Sequence, residues 1–234
     1  MILSLLVFIT SLVLVYLSSH LLIKNLIKFF YRLSRSRHTS VNLLFFVLLP
    51  GIFLHEFSHI LSAEILQVRT GHLSLKPQFQ HNQLTLGSAQ IARTDPIRLT
   101  LIGLAPFITG TLTLWLLLKF CLNLNVSTIT FSTLIPQFIS SIQQLSPIVI
   151  IGTFYLIFAI TNTMFSSPSD LQAAGLPVIL FLIITTILKL SQFSLPTTLI
   201  TYSTNLFLLL STIFFLTLFL NLILLLPLKI FNRH

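Results

Sequence analysis

The chain has 234 residues, of which 55% are hydrophobic and only 7% are charged, and its mean hydropathy is +0.99. A soluble domain needs far more charged surface than this, so we expect an integral, multi-pass membrane protein whose solvent is the lipid bilayer. The formal net charge of +9 does not indicate nucleic-acid binding, because most basic residues stand at the ends of apolar runs, where lipid headgroups are expected. The single cysteine, Cys121, excludes an internal disulfide and a metal site built from several cysteines.

Six apolar runs are long enough, or nearly so, to cross the roughly 30 Å of bilayer hydrocarbon. They predict an all-α integral membrane protein with about six transmembrane helices, forming a single polytopic membrane domain over residues 1–234. The predicted spans are residues 1–20, 41–67, 97–122, 147–168, 174–190 and 199–227. The first run has the hydropathy of a signal peptide, but it lacks a basic n-region and a small-residue cleavage site, so we expect it to remain as a helix.

Three connections between the spans carry further information. The stretch "IKNLIKFFYRLSRSRH" has Lys24, Lys28 and Arg32 one helical turn apart, which predicts a basic helix on the membrane surface or, more simply, a charged helix end. Residues 68–96 alternate polar and apolar side chains around "QFQHNQ", which predicts a β-hairpin or small sheet after the second span. Residues 123–146 are rich in Ser and Thr, and we expect a surface loop with one short amphipathic helix. The basic residues of the loops are nearly balanced between the two sides, so the orientation is left open.

The second span carries the motif His55-Glu56-Phe57-Ser58-His59 within "LLPGIFLHEFSHILSAEIL". On a helix this spacing places both imidazoles on one face, one turn apart, where they can bind the same Zn²⁺ ion. The glutamate then lies beside the ion as general base, since zinc lowers the pKa of a coordinated water to about 7. The alternative is that the three polar side chains pack between helices and are satisfied by neighbouring serines and backbone groups.

A hydrolytic zinc site needs a third protein ligand and one open position, and the chain has only four acidic residues. Glu64 is rotated to the opposite helix face from His55, and Asp95 has the position of a helix N-cap or a headgroup-level residue. Asp170 ends the fourth predicted span on the same membrane side as the histidines. It is therefore the candidate ligand, the alternative being an ordinary N-cap or interfacial aspartate. Three further histidines are expected in the polar loop or at the interface rather than as ligands, namely His20, His72 and His81.

These motifs resemble those of the site-2-type family of intramembrane zinc metalloproteases, over about residues 41–175. In that family one helix carries H-E-x-x-H and a later helix carries N-x-x-P-x-x-x-x-D-G, often with a second proline two residues before the aspartate. The stretch "NTMFSSPSD" has Asn162 eight residues before Asp170, and it keeps the proline two residues before that aspartate. The earlier proline and the glycine are replaced by Phe165 and Leu171.

The resemblance implies hydrolysis of a peptide bond within or near a transmembrane segment of another membrane protein, the substrate helix. His55, His59 and Asp170 would hold the Zn²⁺ cofactor. Glu56 would act as base and then as proton donor, while Asn162 would hydrogen-bond the substrate backbone. The edge of the hairpin would bind the extended substrate by strand addition. Two alternatives from other classes stay open: a membrane metal-binding or metal-transport protein that uses the same ligands, and an inactive relative that acts as a scaffold.

Overall fold

The computed structural model describes residues 2–80, 83–123, 134–164 and 196–232. Its helices are α1 (Ile2–Ser34), α2 (Arg37–Ile65), α3 (Pro96–Cys121), α4 (Leu134–Gln144), α5 (Pro147–Thr163) and α6 (Thr197–Phe231). Its strands are β1 (Thr70–Ser74), β2 (Gln78–Gln80), β3 (Gln83–Thr85) and β4 (Ser88–Ile91). By length and composition α1, α2, α3 and α6 are each able to cross a membrane, and α5 is a shorter apolar helix. A mostly helical chain with four long apolar helices and a small hairpin is therefore confirmed, and these helices suggest a membrane protein.

Two helices from opposite ends of the described chain, α1 and α6, pack side by side along most of their length. Along one face of α1 buried residues recur at intervals of four and three, namely Ser4, Phe8, Ser11, Val15, Ser18 and Leu22, and Ser19 is buried beside them. This is the a/d spacing of a coiled coil, with a small residue at every a position, and small residues let membrane helices approach closely. The Phe8 and Phe207 ring centroids are 5.3 Å apart. The Phe29 and Phe231 centroids are 5.0 Å apart, so the helices run parallel. We call this contact the α1–α6 seam.

The other long helices are arranged around α2, which contacts α1, α3 and α5. α3 runs antiparallel to α2, since the Ile102 carbonyl in the second turn of α3 meets His59 in the C-terminal half of α2. α5 runs opposite to α1. Phe158 packs beside the C-terminal half of α1. Asn162, one turn later, hydrogen-bonds Asn221 of α6, which in turn hydrogen-bonds Ser18, nearer the start of α1. The chain therefore alternates in direction from α1 through α2, α3 and α5 to α6.

The described helices do not fit six alternating spans. The first and last of six such spans would be antiparallel, whereas the described helices α1 and α6 run parallel. The span predicted at 174–190 lies outside the described residues, and the other five predicted spans overlap α1, α2, α3, α5 and α6. The run predicted at 1–20 continues as one helix to Ser34. The basic stretch around Lys28 is therefore the charged end of α1 rather than a separate surface helix.

The hairpin expected after the second span is present as an antiparallel pair of ladders within residues 70–91. β1 pairs with β4, and β2 pairs with β3, with Phe79 opposite Leu84. Between β3 and β4, Leu86 is buried in one cluster with apolar residues of α2, so the hairpin folds back on the helix that precedes it. The short helix expected within 123–146 is α4, and its Phe138 and Ile142 side chains pack on the bundle.

Candidate functional site

The three residues of the histidine–glutamate motif lie well inside α2 rather than at either of its ends. At 1.5 Å per residue, His55 stands about 27 Å from the helix start at Arg37 and about 15 Å from its end at Ile65. Because α1, α3 and α5 all pack against α2, the motif lies within the apolar bundle rather than in a connection. The site is therefore enclosed by apolar helices, of which α1, α2 and α3 are long enough to cross a membrane.

The side chains of the motif are almost completely buried. Their exposed fractions are 5% for His55, 7% for Glu56 and 9% for His59. The two imidazole ring centroids are 4.9 Å apart, and the ring planes are inclined at 84°. Imidazoles one turn apart on a helix face can reach a common metal ion. Burying ionisable side chains among apolar helices is costly unless a partner or a bound ligand compensates for it.

A backbone carbonyl of α3 fixes the orientation of the second histidine. His59 Nδ1 lies 2.9 Å from the carbonyl oxygen of Ile102. Since a carbonyl oxygen only accepts, Nδ1 is the donor, and in the neutral ring Nε2 then carries the lone pair. Metal-binding histidines are commonly held in this way, with the other ring nitrogen bonded to a carbonyl or carboxylate. In its neutral form His59 can therefore bind a metal through Nε2.

Two glycines set the spacing between α2, α3 and the end of α5. A Cβ at Gly51 would stand 2.2 Å from a backbone carbonyl oxygen of α5 and 2.3 Å from Thr163 Oγ1. A Cβ at Gly110 of α3 would stand 3.0 Å from the Met164 side chain. Gly51 precedes His55 by one turn on the same helix face, so the end of α5 contacts α2 about 6 Å from that histidine.

The backbone between β3 and β4 covers the glutamate of the motif. Leu86 is 8% exposed and anchors this turn in the α2 cluster. At the next residue, Gly87, a Cβ would stand 2.8 Å from Glu56 Cγ and 3.0 Å from Glu56 Oε1. No side chain fits between the turn and the glutamate unless one of them moves. The hairpin is consequently part of the wall of the site.

The other acidic and histidine candidates are found elsewhere. Asp170, the candidate third ligand, and His81 lie outside the described residues. Asp95 is the N-cap of α3, as predicted. Its carboxylate accepts a hydrogen bond from the Arg98 backbone N–H at 3.0 Å, and this bond, with the nearby guanidinium, lowers the pKa of Asp95. Glu64 is exposed at the end of α2 and accepts a hydrogen bond from β1. The described histidines that we expected away from the site are exposed, namely His20 and His72.

Asn162, predicted to bind substrate, lies in a buried polar junction between α5, α6 and α1. Its Nδ2 donates to Asn221 Oδ1 at 3.1 Å, and Asn221 Nδ2 donates back to Asn162 Oδ1 at 3.0 Å. Asn221 Nδ2 also donates to Ser18 Oγ at 3.0 Å, which ties α1 into the junction. The two asparagines are 3% and 0% exposed. In this structure both ends of the Asn162 amide are therefore engaged by neighbouring helices.

Two parts of this arrangement are absent from the sequence motifs. The Ile102 carbonyl is a backbone group, so no residue type marks it. Asn221 and the buried serines of α1 lie in runs whose hydropathy indicates only a membrane span. The serines nevertheless recur every seven residues, at Ser4, Ser11 and Ser18, and that period is a sequence signal for close helix packing.

Among residues that the structure describes, no group of three or more His, Cys, Asp or Glu side chains is arranged to hold a metal ion. Comparison with protein-family models, with curated proteins and with solved structures finds no significant match to this chain. What is known of the site therefore comes from the residues of α2 and their neighbours.

Proposed function

We propose that this protein is an intramembrane zinc metalloprotease that cuts a peptide bond in or near a transmembrane segment of another membrane protein. The observation that supports this most strongly is the buried pair His55 and His59, with the His59 ring held by the Ile102 carbonyl. Glu56 lies between the two histidines in a chain with only four acidic residues. Packing between helices requires neither this spacing nor this residue.

The donor atoms of the described residues are of the kinds that bind zinc. Catalytic zinc sites use imidazole nitrogens and carboxylate oxygens, commonly three protein ligands with one position left open. His55 and His59 would supply two of them, and Asp170, as the family resemblance implies, would supply the third. Zinc bound there would lower the pKa of a coordinated water to near neutrality.

Glu56 would act as the general base and then as the general acid. It would take a proton from the attacking water and later give that proton to the leaving amine nitrogen, so that the glutamate ends each cycle ionised. Its burial, with 7% of the side chain exposed, excludes bulk water and strengthens its interactions with the reacting groups. Glutamine has the same shape but does not accept the proton.

The hairpin would hold the substrate in a form that can be cut. A transmembrane helix must become extended before its peptide bonds are accessible, and an exposed strand edge binds an extended segment by main-chain hydrogen bonds. The turn at Leu86 and Gly87 already brings the hairpin into contact with the Glu56 side chain. A strand added to the hairpin would therefore lie close to the base.

The first test is the zinc content of the detergent-purified protein. The wild type should retain about one zinc per chain, and His59→Ala and Asp170→Ala should lose it, whereas Glu56→Gln should keep it. His72→Ala, which removes an exposed histidine of β1, is the control and should keep the wild-type content. A wild type that binds no zinc would contradict the protease proposal and favour the inactive scaffold relative.

The second test is cleavage of a single-span substrate reconstituted with the enzyme. The substrate carries a tag at each end and a glycine pair within its apolar segment, since glycine weakens the helix. Wild type should release two fragments cut in or near the span, and Glu56→Gln should leave the substrate intact while still holding zinc. Zinc flux into vesicles that is unchanged by Glu56→Gln, with no cleavage by either protein, would instead support a metal carrier.

A further inference from the structure

The directions of the helices gather basic residues at one end of the bundle. The C-terminal ends of α1, α3 and α6 and the start of α2 meet there, because α1, α3 and α6 run one way and α2 runs the other. The described cations at this end, which we call the basic end, are Lys24, Lys28, Arg32, Arg35, Arg37, Lys119 and Lys229. The hairpin end has the cations Arg69, Lys76, Arg93 and Arg98 and the exposed acids Glu64 and Asp95.

The basic end carries no aspartate or glutamate within the described ranges. The loop charges alone do not decide the orientation, but Lys119 and Lys229 join this end once the helix directions are known. The positive-inside rule then predicts that the basic end faces the cytoplasm. Anionic lipids give the cytoplasmic leaflet a negative surface potential, which attracts basic segments next to membrane helices.

A cavity of about 480 Å³ opens at the basic end beside the last turn of α6. Its lining residues are Arg32, Pro227, Ile230 and Phe231. Three of these four side chains are apolar, so the wall of the cavity is hydrophobic, and Arg32 is the one charged residue beside it. Its size is within the range of pockets that bind small ligands.

Arg32 of α1 hydrogen-bonds the end of α6 and has further N–H donors that these bonds do not use. Its guanidinium donates to the backbone carbonyl oxygens of Phe231 and Asn232, the latter at 2.7 Å. These carbonyls at a helix C-terminus have no partner within their own helix. A guanidinium has five N–H donors, so further hydrogens are available to an anion. Lys28 lies one turn earlier on the same face of α1, and its side chain is exposed.

We propose that the basic end binds one anionic phospholipid, with its phosphate between Arg32 and Lys28 and an acyl chain in the cavity against Pro227 and Ile230. The planar guanidinium suits a phosphate group, which it can bind through two hydrogen bonds. The apolar wall favours a lipid over free phosphate, because inorganic phosphate has no apolar part to bury. A lipid bound there stabilises the junction at which α1 meets the end of α6.

The test is native mass spectrometry of the full chain in detergent, titrated with phosphatidylglycerol or phosphatidylcholine. Wild type should bind phosphatidylglycerol in preference to phosphatidylcholine. Lys28→Gln and Arg32→Gln should each weaken phosphatidylglycerol binding about fivefold, the effect expected of one basic residue at an anionic surface. Ile230→Trp fills the cavity without changing the charge, and it should weaken the binding of both lipids.

The control is Lys76→Gln, which removes an exposed cation at the hairpin end and should leave phosphatidylglycerol binding unchanged. An equal loss in Lys76→Gln would indicate diffuse attraction by the net charge and would overturn the site. Full binding by Lys28→Gln, or displacement of the lipid by inorganic phosphate at the same concentration, would overturn it too. Arg32→Gln also removes the contact with α6 and could unfold the protein. Lys28→Gln leaves that contact intact, so its effect on phosphatidylglycerol binding tests the site even if Arg32→Gln unfolds.

Discussion

Replacing Gly51 by alanine is expected to push α2 away from α5. The new Cβ would stand 2.2 Å from the Ala159 carbonyl oxygen and 2.3 Å from Thr163 Oγ1. Even in close C–H···O contacts, carbon and oxygen stay about 3.3 Å apart. The two helices must therefore separate by roughly 1 Å at this level, since the nearest atom belongs to the backbone and does not rotate away.

Two opposing effects set the size of the change in stability. Alanine favours a helix over glycine by about 1 kcal/mol, and overpacking a well-packed interior costs about 1–3 kcal/mol. The clash at Gly51 is with backbone, so the upper part of that range applies, and we expect a net loss of about 1–2 kcal/mol. For a chain of this length, the unfolding temperature should fall by roughly 2–8 °C.

Gly152 offers a matched control. It lies in α5, and a Cβ built there meets nothing within 4 Å. Gly152→Ala therefore gains the helix propensity without the clash, and it should raise the unfolding temperature by up to about 4 °C. Both variants make the same chemical change inside a helix of the same bundle, so opposite signs isolate the effect of close packing.

The assay follows thermal unfolding in detergent with a maleimide dye that fluoresces when it reacts with Cys121, the single and partly buried thiol. Zinc retention in the presence of a chelator, measured on the same samples, reports whether the displacement reaches His55 one turn further along α2. We expect Gly51→Ala to lose zinc faster than wild type and Gly152→Ala to match it. Equal unfolding temperatures for the two variants would refute the close approach of α2 and α5.

Three further predictions concern the hairpin, the polar junction and the start of α3. Gly87→Ala should displace the motif glutamate and lower cleavage by roughly 10- to 100-fold with zinc retained. Its control is Gly71→Ala, whose Cβ would make a comparably close contact, 2.8 Å, but with the side chain of the exposed Gln90 rather than with the motif. Asn221→Leu removes the reciprocal partner of Asn162 and should cost about 0.5–2 kcal/mol in unfolding free energy. Adding Asn162→Leu should recover part of that cost, and strict additivity in this double-mutant cycle would argue against the pair. Folding lowers the pKa of Asp95, so its charge stabilises the fold fully above about pH 4 and stops doing so as the pH falls through the lowered pKa. The difference in unfolding temperature between wild type and Asp95→Asn should therefore be constant near neutrality and shrink in acid, and a difference independent of pH would contradict this.

The features that the sequence predicts well depend on local patterns. The hairpin follows from alternation of polar and apolar residues, the cap at Asp95 from an aspartate directly before a proline at a helix start, and α4 from its amphipathic period. The burial of His55 and His59 on one face of α2 follows from their spacing in the same way. Each of these features is specified by a few residues that are neighbours in the sequence.

The number of crossings and the choice of neighbours depend on more than hydropathy. Hydropathy treats every apolar run alone, so it does not distinguish a helix that pairs with α1 from one that does not. The pairing here depends on shape, because Ser4, Ser11 and Ser18 leave room for α6 to approach. The third zinc ligand depends on tertiary structure as well, and Asp170 in that role stays a prediction.

The α1–α6 seam also has a consequence for how the protein is made. Ser18 and Asn221 are 203 positions apart in the chain and hydrogen-bond directly. At about 5–20 residues per second, the ribosome needs roughly 10–40 s to reach α6 after α1 has been synthesised. During this time α1 can remain in lipid without α6, because Ser11 and Ser18 donate their hydroxyl hydrogens to carbonyls of their own helix and need no partner from another helix. If synthesis stopped before α6, α1 would lie in the bilayer without its packing partner. Its serine face would then be accessible to the quality-control machinery that recognises incompletely assembled membrane proteins.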